Sequence, residues 1–322
     1  MITDDAVNGI SDWLGPSDRR YLGQGYRRVR HKLSPLTVIE TDPLVAESEA
    51  SVDYPEDWSR KSAIADRQAH LSTVDAVILS ALCAGPALQV RRQLSDDDLG
   101  AARIDCVDIR AGSTPTRVDN AVPIKTTFEA GSDLDGGRSR SLIRSQLGSL
   151  HTRTVISHPK MGSNTTPERP QPAAPGIYSD MFRFTEHAQR VSAVDPEAGS
   201  ITVEHELEPL AVTTSGLESE MWPCVSYVDC IVIAGQMAQI LVHAQDGSSR
   251  ETTSNLWMRK ASLRAHHPDR RKRLQATSTM HLTGRRVIAR DDGLLHAIDV
   301  EIADLYGMEV KASLALRTSA ED

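Results

Sequence analysis

The sequence predicts an α+β fold of tandem (double) hotdog type, two antiparallel sheets each wrapping a central buried helix. Three observations predict it. Each half of the chain holds one long apolar segment without a polar face. β-branched runs with strand-like alternation flank each segment. The two apolar segments also align at a single offset, as duplicated units do.

The first helix is expected from about Ser72 through Leu88 and the second from about Ser226 to Ala244. Both are apolar around most of their circumference, the mark of a helix buried on every side. At an offset of 154, Ser72 matches Ser226, Val74 matches Val228 and Asp75 matches Asp229, and most other pairs exchange one small or aliphatic residue for another. In the first half, strands are expected over Val29–Glu40, Arg103–Arg110, Val122–Glu129 and Leu150–Ser157. In the second they are expected over Ile201–Leu207, Ser254–Leu263, Leu274–Leu282 and Gly293–Leu316, the last broken at Tyr306-Gly307. An antiparallel sheet curled around one apolar helix hides it all round. Between the halves, Gly162–Gly176 reads GSNTTPERPQPAAPG, with four prolines that remove backbone donors and favour an extended connector. The expected domains are therefore 1–161 and 177–322, joined by a Pro-rich linker over 162–176.

Composition excludes several classes of function. The 322 residues carry a net charge of −8 and only 4% aromatics, which argues against a nucleic-acid binder. Cys83, Cys106, Cys224 and Cys230 form no CxxC pair and have no histidine at zinc-site spacing, so neither metal nor cofactor is expected. They read as buried thiols of a reduced compartment. The acidic start, Met1-Ile2-Thr3-Asp4-Asp5, lacks the order of a signal peptide. The most apolar stretch, Val228 to Ala244, is interrupted by Asp229, Gln236, Gln239 and His243, which argues against a membrane span. The expected location is the cytoplasm.

Candidate chemistry gathers at the helix starts. Ser72 with Asp75, and Ser226 with Asp229, have the spacing of a capping box, and each aspartate also stands where an acid or base would meet a substrate. Both readings stand for both residues. Gln236 and Gln239 interrupt the apolar second helix, and Gln236 lies two turns beyond Asp229, so the pair can share a face. A buried amide needs partners, in a neighbouring strand or in a substrate. Gln236 aligns with Leu82 of the first helix, which favours the second half as the working one. His187, just after the linker, and His70, just before the first helix, are candidate proton carriers. Arg19, Arg20, Arg27, Arg28, Arg30 and Lys32 cluster around Tyr21, Gly23, Gly25 and Tyr26, a patch suited to a phosphate or an acidic carrier protein. Nucleotide fingerprints, a Gly-x-Ser-x-Gly elbow and His-Glu-x-x-His are all missing.

From Asp12 to Leu33 the chain reads DWLGPSDRRYLGQGYRRVRHKL, which resembles the opening of the avirulence protein D (AvrD) family. The Val-Asp segment at the second helix and Trp257-Met-Arg-Lys260 are similar to that family too, as are length and two-half organisation. The resemblance implies an enzyme of butenolide or syringolide-type biosynthesis that condenses a β-ketoacyl thioester with a small ketose or ketose phosphate. The A-factor synthase family, similar in its hotdog-like repeats, joins such a thioester to a C3 phosphate. The implied partners are an acyl carrier protein or acyl-CoA as donor and a sugar or sugar phosphate as acceptor, in a monomer or homodimer. No catalytic residue carries over from the family. The candidates are Asp229 or His187 as base, Gln236 as polariser and Asp75 as the equivalent carboxylate, with Tyr26, Arg27, Arg28, Arg30 and Trp257 as substrate contacts. The alternatives are a hotdog dehydratase or thioesterase, or a protein that binds an acyl ligand without turnover.

Overall fold

The computed structural model describes residues 9–318 except 40, 42, 60–67, 130, 161–173, 209–211, 251–255, 267–273 and 291–292. Most of the expected linker lies outside the described residues.

The first half begins with two short helices, α1 (Ile10–Leu14) and α2 (Tyr26–Arg28), and continues through β1 (Arg30–Leu33), β2 (Thr37–Ile39) and β3 (Leu44–Asp53). The long helix α3 (Thr73–Arg92) and the short α4 (Asp96–Gly100) follow. Strands β4 (Arg103–Arg110), β5 (Val122–Glu129), β6 (Asp133–Leu134), β7 (Arg138–Leu147) and β8 (Leu150–Pro159) complete it. The second half runs β9 (Glu186–Asp195), β10 (Ser200–Glu208), α5 (Tyr227–Asp246), β11 (Trp257–Ala265), β12 (Gln275–Arg290), β13 (Gly293–Leu305) and β14 (Met308–Thr318).

Across the sheet the order is β1-β3-β5-β7-β8-β4-β11-β14-β13-β12-β10-β9. Read from either rim inwards, the two halves follow the same path, so the repeat seen in the helices extends to the strands. Every residue of α5 stands 154 positions after its counterpart in α3. The tandem hotdog predicted from the sequence is the fold, with one difference. The two sheets are a single sheet, because β4 pairs antiparallel with its own counterpart β11, Ala261 facing Ile109 and Leu263 facing Val107. Unpaired edge strands carry free backbone donors and acceptors, and pairing the two equivalent edges satisfies both rows at once.

Both long helices start from capping boxes. Ser72 Oγ accepts from Asp75 N–H and Ser226 Oγ from Asp229 N–H, while each carboxylate accepts from its serine's backbone N–H. At its C-terminal end α5 stops at Gly247, whose φ of 61° suits glycine. By length and apolarity each long helix passes for a membrane span, yet both lie inside the fold with the sheet around them and with each other as neighbours. The hairpin between β13 and β14 turns at Tyr306 and Gly307, both with positive φ, where the sequence predicts a break.

Candidate active site

The segment Gly15–Gly25 is built for close approach. A side chain at Gly23 would place its Cβ 2.2 Å from the carbonyl oxygen of Ser17, and one at Gly25 would stand 2.0 Å from that of Trp58. Glycine at both lets Tyr21–Gly25 coil into a tight π-type turn, with the Arg20 carbonyl accepting from Gly23, Gln24 and Gly25 N–H. The turn delivers Arg20, Tyr21 and Leu22 in succession to the wall of a cavity of about 210 Å³. Gly235 on α5 makes room for Leu22, since a Cβ there would stand 2.6 Å from a Leu22 methyl. Both halves contribute walls. The start of α3 supplies Ser72 and Val74, and α5 supplies Ile231, Ala238 and Gln239.

One wall carries hydroxyls. Tyr21 Oη lies 2.6 Å from Ser72 Oγ and 3.4 Å from Tyr54 Oη, and Tyr54 donates to Asp75 Oδ2. Ser72 Oγ and N each donate to the same oxygen at 2.7 Å. The other oxygen, Oδ1, stands 2.7 Å from His31 Nε2. Tyr21 and Tyr54 stack with centroids 5.9 Å apart, and Trp58 packs edge-on against both. In a chain with so few aromatics, three of them brace one set of hydroxyls. Burial alone would raise the pKa of Asp75, but the His31, Tyr54 and Ser72 hydrogen bonds together hold it below the ordinary value. Burial, and then the charge of Asp75, pushes both tyrosines well above their usual value, so they stay protonated. Hydroxyls thus face the cavity, and an ionised carboxylate stands behind them.

The second half repeats the pair. His187 Nε2 stands 2.9 Å from Asp229 Oδ1, Thr185 donates to that oxygen at 3.2 Å, and Ser226 holds Oδ2. Burial would raise the Asp229 pKa; His187 and Ser226 bring it below the usual range. Neither Asp229 nor His187 lines the cavity. Gln236 does not join them: its Oε1 accepts from Arg20 Nη1 at 2.8 Å. The face shared by Asp229 and Gln236 that the sequence suggests is thus divided between two different partners.

Among the expected substrate contacts, Trp257 lines the cavity and packs against His70 with the rings tilted, centroids 4.7 Å apart. Tyr26, Arg27, Arg28 and Arg30 do not line it. Tyr26 is buried against Phe182, and burial chiefly pushes its pKa up to about 12. Arg27 donates to Tyr26 Oη at 3.1 Å, Arg28 pairs with Asp57 at 2.7 Å on the surface, and Arg30 opens β1 exposed to solvent. Tyr26, Arg27 and Arg28 hold the N-terminal segment in place, and Arg20 is the arginine of that cluster which reaches the cavity. Sequence reasoning reaches neither Tyr54 nor His31, and it names Tyr21 only as a residue within the basic cluster. The duplication could have marked His31, which precedes Asp75 by 44 residues as His187 precedes Asp229 by 42. Among the described residues, no group of three or more His, Cys, Asp or Glu is placed to hold a metal ion.

The model of the Pseudomonas avirulence D protein (AvrD) family matches residues 6–319. No curated protein matches the chain. Among solved structures it is similar to a tesB protein of Mycobacterium avium subs paratuberculosis, at 12% identity and a TM-score of 0.41, over 78% of this chain and 91% of that one. A hot dog fold protein from Alicyclobacillus acidocaldarius is 8% identical with a TM-score of 0.42, covering 89% and 96%. An acyl-CoA thioesterase II from Mycobacterium marinum is 13% identical with a TM-score of 0.38, covering 89% and 96%.

Proposed function

Because the chain belongs to the AvrD family, and because its cavity joins an apolar wall to a row of wired hydroxyls, we propose that it is a biosynthetic enzyme acting on an acyl thioester. In this reading it condenses a β-ketoacyl thioester, carried by CoA or an acyl carrier protein, with a small ketose or ketose phosphate. The product is a butenolide of the syringolide type. We take 1–161 and 177–322 as the two domains, and the four buried free thiols suit a cytoplasmic setting.

A hydroxyl of the ketose attacks the thioester carbonyl; the C–O bond forms, the C–S bond breaks, and the proton of the hydroxyl leaves with the thiolate as free thiol. The carbon between the two carbonyls then loses a proton, its enolate adds to the ketone carbon and closes the ring, the alkoxide takes up that proton, and loss of water forms the C=C bond. No electron is gained or lost, so the scheme calls for no redox group.

The observation that carries the proposal is the chain Tyr21–Ser72–Asp75 at the cavity wall. A substrate hydroxyl donates to Tyr21 Oη, Tyr21 to Ser72 Oγ across 2.6 Å, and Ser72 to Asp75 Oδ2 across 2.7 Å. The low pKa of Asp75 makes it a poor resting place for the proton, which returns along the chain to the departing thiolate. His31 keeps the carboxylate oriented. Leu22, Ile231 and Ala238 receive the acyl chain, holding both reactants in attacking geometry. Asp229 and His187, which lie off the cavity, take no step in this scheme, and Gln236 acts through Arg20.

Incubation of the purified protein with a medium-chain β-ketoacyl thioester, with and without xylulose, xylulose 5-phosphate or dihydroxyacetone phosphate, tests the reading by mass spectrometry. An adduct lacking the thiol and one water, dependent on an acceptor, supports it. Thiol release without acceptor dependence makes the protein a thioesterase instead. An intact thioester in every mixture overturns the enzymatic reading in favour of a binding protein.

A further inference from the structure

Arg20 is only 3% exposed, yet no carboxylate among the described residues pairs with it. Its Nη1 donates to Gln236 Oε1 at 2.8 Å, its Nη2 to Ser11 Oγ at 3.4 Å, and its Nε has no partner. Neutral acceptors orient a guanidinium without neutralising it. Burial, and then the charge of Arg250, lowers its pKa to about 10, which leaves it charged at neutral pH. An ionised group removed from water without a counter-charge is strongly disfavoured, so such a residue normally faces an anion supplied from elsewhere.

Arg20 lines the cavity, and so does Arg250. Arg250 donates to the Arg19 carbonyl at 3.2 Å and to Ser59 Oγ at 3.4 Å, which fixes it alongside. Both arginines belong to the wall of one cavity, and the charge of Arg250 is felt at Arg20. Arg20 stands next in the chain to Tyr21, so an anion held there has its carbon skeleton beside the hydroxyl chain.

We propose that the Arg20–Arg250 end of the cavity is an anion subsite that takes the phosphate group of a substrate. A phosphate monoester carries close to two charges and three acceptor oxygens, which suits two guanidinium groups better than a single carboxylate does. Gln236 is a positioning residue in this arrangement: it holds Arg20 by one nitrogen and leaves the charge available. That also explains a buried amide on a helix whose other buried side chains, Asp229 aside, are apolar. The phosphate is either the monoester of a ketose phosphate acceptor or, with a single charge, the diester of the donor's phosphopantetheine arm. The inference deepens the function proposed above and rests on it for the identity of the substrate, but it is read by binding without turnover.

Titration calorimetry on the full chain compares xylulose 5-phosphate with xylulose, and 4′-phosphopantetheine with pantetheine, in a buffer free of phosphate. The expected result is at least tenfold tighter binding of one phosphorylated ligand than of its unphosphorylated counterpart, and which pair shows it identifies the source. Inorganic phosphate should compete. Arg250→Gln should remove most of that advantage. Gln236→Glu gives Arg20 an internal counter-ion while keeping both cations and nearly the same shape. It should raise the Tm and abolish the phosphate preference together, which a merely structural glutamine would not do. Arg144→Gln, which breaks a surface pair with Glu129, controls for net charge. Equal affinities within both ligand pairs and no competition by phosphate overturn the subsite, even if condensation with free xylulose proceeds. A phosphate preference without any condensation keeps the subsite and overturns the synthase reading.

Discussion

His31 Nε2 stands 2.7 Å from Asp75 Oδ1, both side chains at most 3% exposed, and this pair recurs as His187 with Asp229 in the second half. Only the first pair backs onto the cavity, through Ser72 and Tyr54. Asp75→Asn and Asp229→Asn should therefore part company. Breaking a buried pair costs about 3–5 kcal/mol, so both variants should lose stability to a similar degree. Asp75→Asn should also lower kcat for thiol release by roughly 10²–10⁴-fold, while Asp229→Asn stays within a few-fold. Steady-state kinetics at a temperature where both remain folded decides; equal losses in kcat would return the second pair to the chemistry.

The two tyrosines separate proton transfer from support. Tyr21→Phe keeps the ring packing against Tyr54 and Trp58 but interrupts the path from the cavity to Ser72. We expect a fall in kcat with little change in Tm. Tyr54→Phe takes a donor from Asp75 and should cost roughly 1–3 kcal/mol in stability as well. Denaturant melts and kinetics on the same samples show whether the effects divide in this way.

Acid should weaken the fold in two steps. His205 is buried with its Nε2 2.6 Å from Ser278 Oγ, and burial, then the charge of His187, pushes its pKa from 6.5 down to about 4. Between those two pH values the unfolded chain binds a proton that the folded chain does not, so stability falls as pH is lowered, by on the order of 3 kcal/mol. Asp75 and Asp229 act lower down: their depressed pKa values give stability present above about pH 4 and lost as pH falls through the folded values. Urea midpoints from pH 7 to 4 measure the first step, and His205→Gln should flatten it.

Acyl length should register on the apolar wall. Each methylene that leaves water contributes about 0.8 kcal/mol, which predicts a roughly fourfold fall in KM per added carbon until the cavity is filled. Ala238→Phe intrudes on that wall from α5 and should shift the optimum to shorter chains. An unchanged length profile would place the acyl chain elsewhere.

Alanine at Gly25 and at Gly235 should have opposite fates. The first meets the Trp58 backbone at 2.0 Å and should destabilise by roughly 1–3 kcal/mol. The second meets only the tip of Leu22, which can rotate away, and should leave the Tm nearly unchanged while disturbing the cavity wall.

Much of this architecture was legible in the sequence because burial and apolarity coincide there. β4 and β5 begin and end where their alternation predicts. β7 was missed for a physical reason: three of its five buried positions, Ser139, Ser141 and Ser145, are serines. Ser141 bonds to His158 at 2.8 Å and Ser145 to Thr126 at 3.0 Å, so a polar face is buried without penalty, and pattern alone reads it as solvent-facing. The edge strand β9 was missed because most of it is exposed. At the site, Gln236 sets the second helix apart, but the working half it suggests is the second, whereas the carboxylate behind the cavity wall is Asp75 of the first. Nor could Gln236 reveal that its partner, Arg20, lies 216 residues earlier. The hydroxyl chain is likewise assembled from Tyr21, Tyr54 and Ser72, three separate stretches that no local motif connects.

The seam between β4 and β11 has a consequence for how such a site can arise. Two identical subunits meeting along that edge would bear every mutation twice, once in each copy. A residue crossing from one subunit to the other would have to suit both directions at once. Covalent tandem linkage lifts that constraint: Arg20 can cross to Gln236 while the residue aligned with that glutamine, Leu82, stays apolar. It also makes the pairing of the two repeats independent of dilution, since neither can diffuse away from the other.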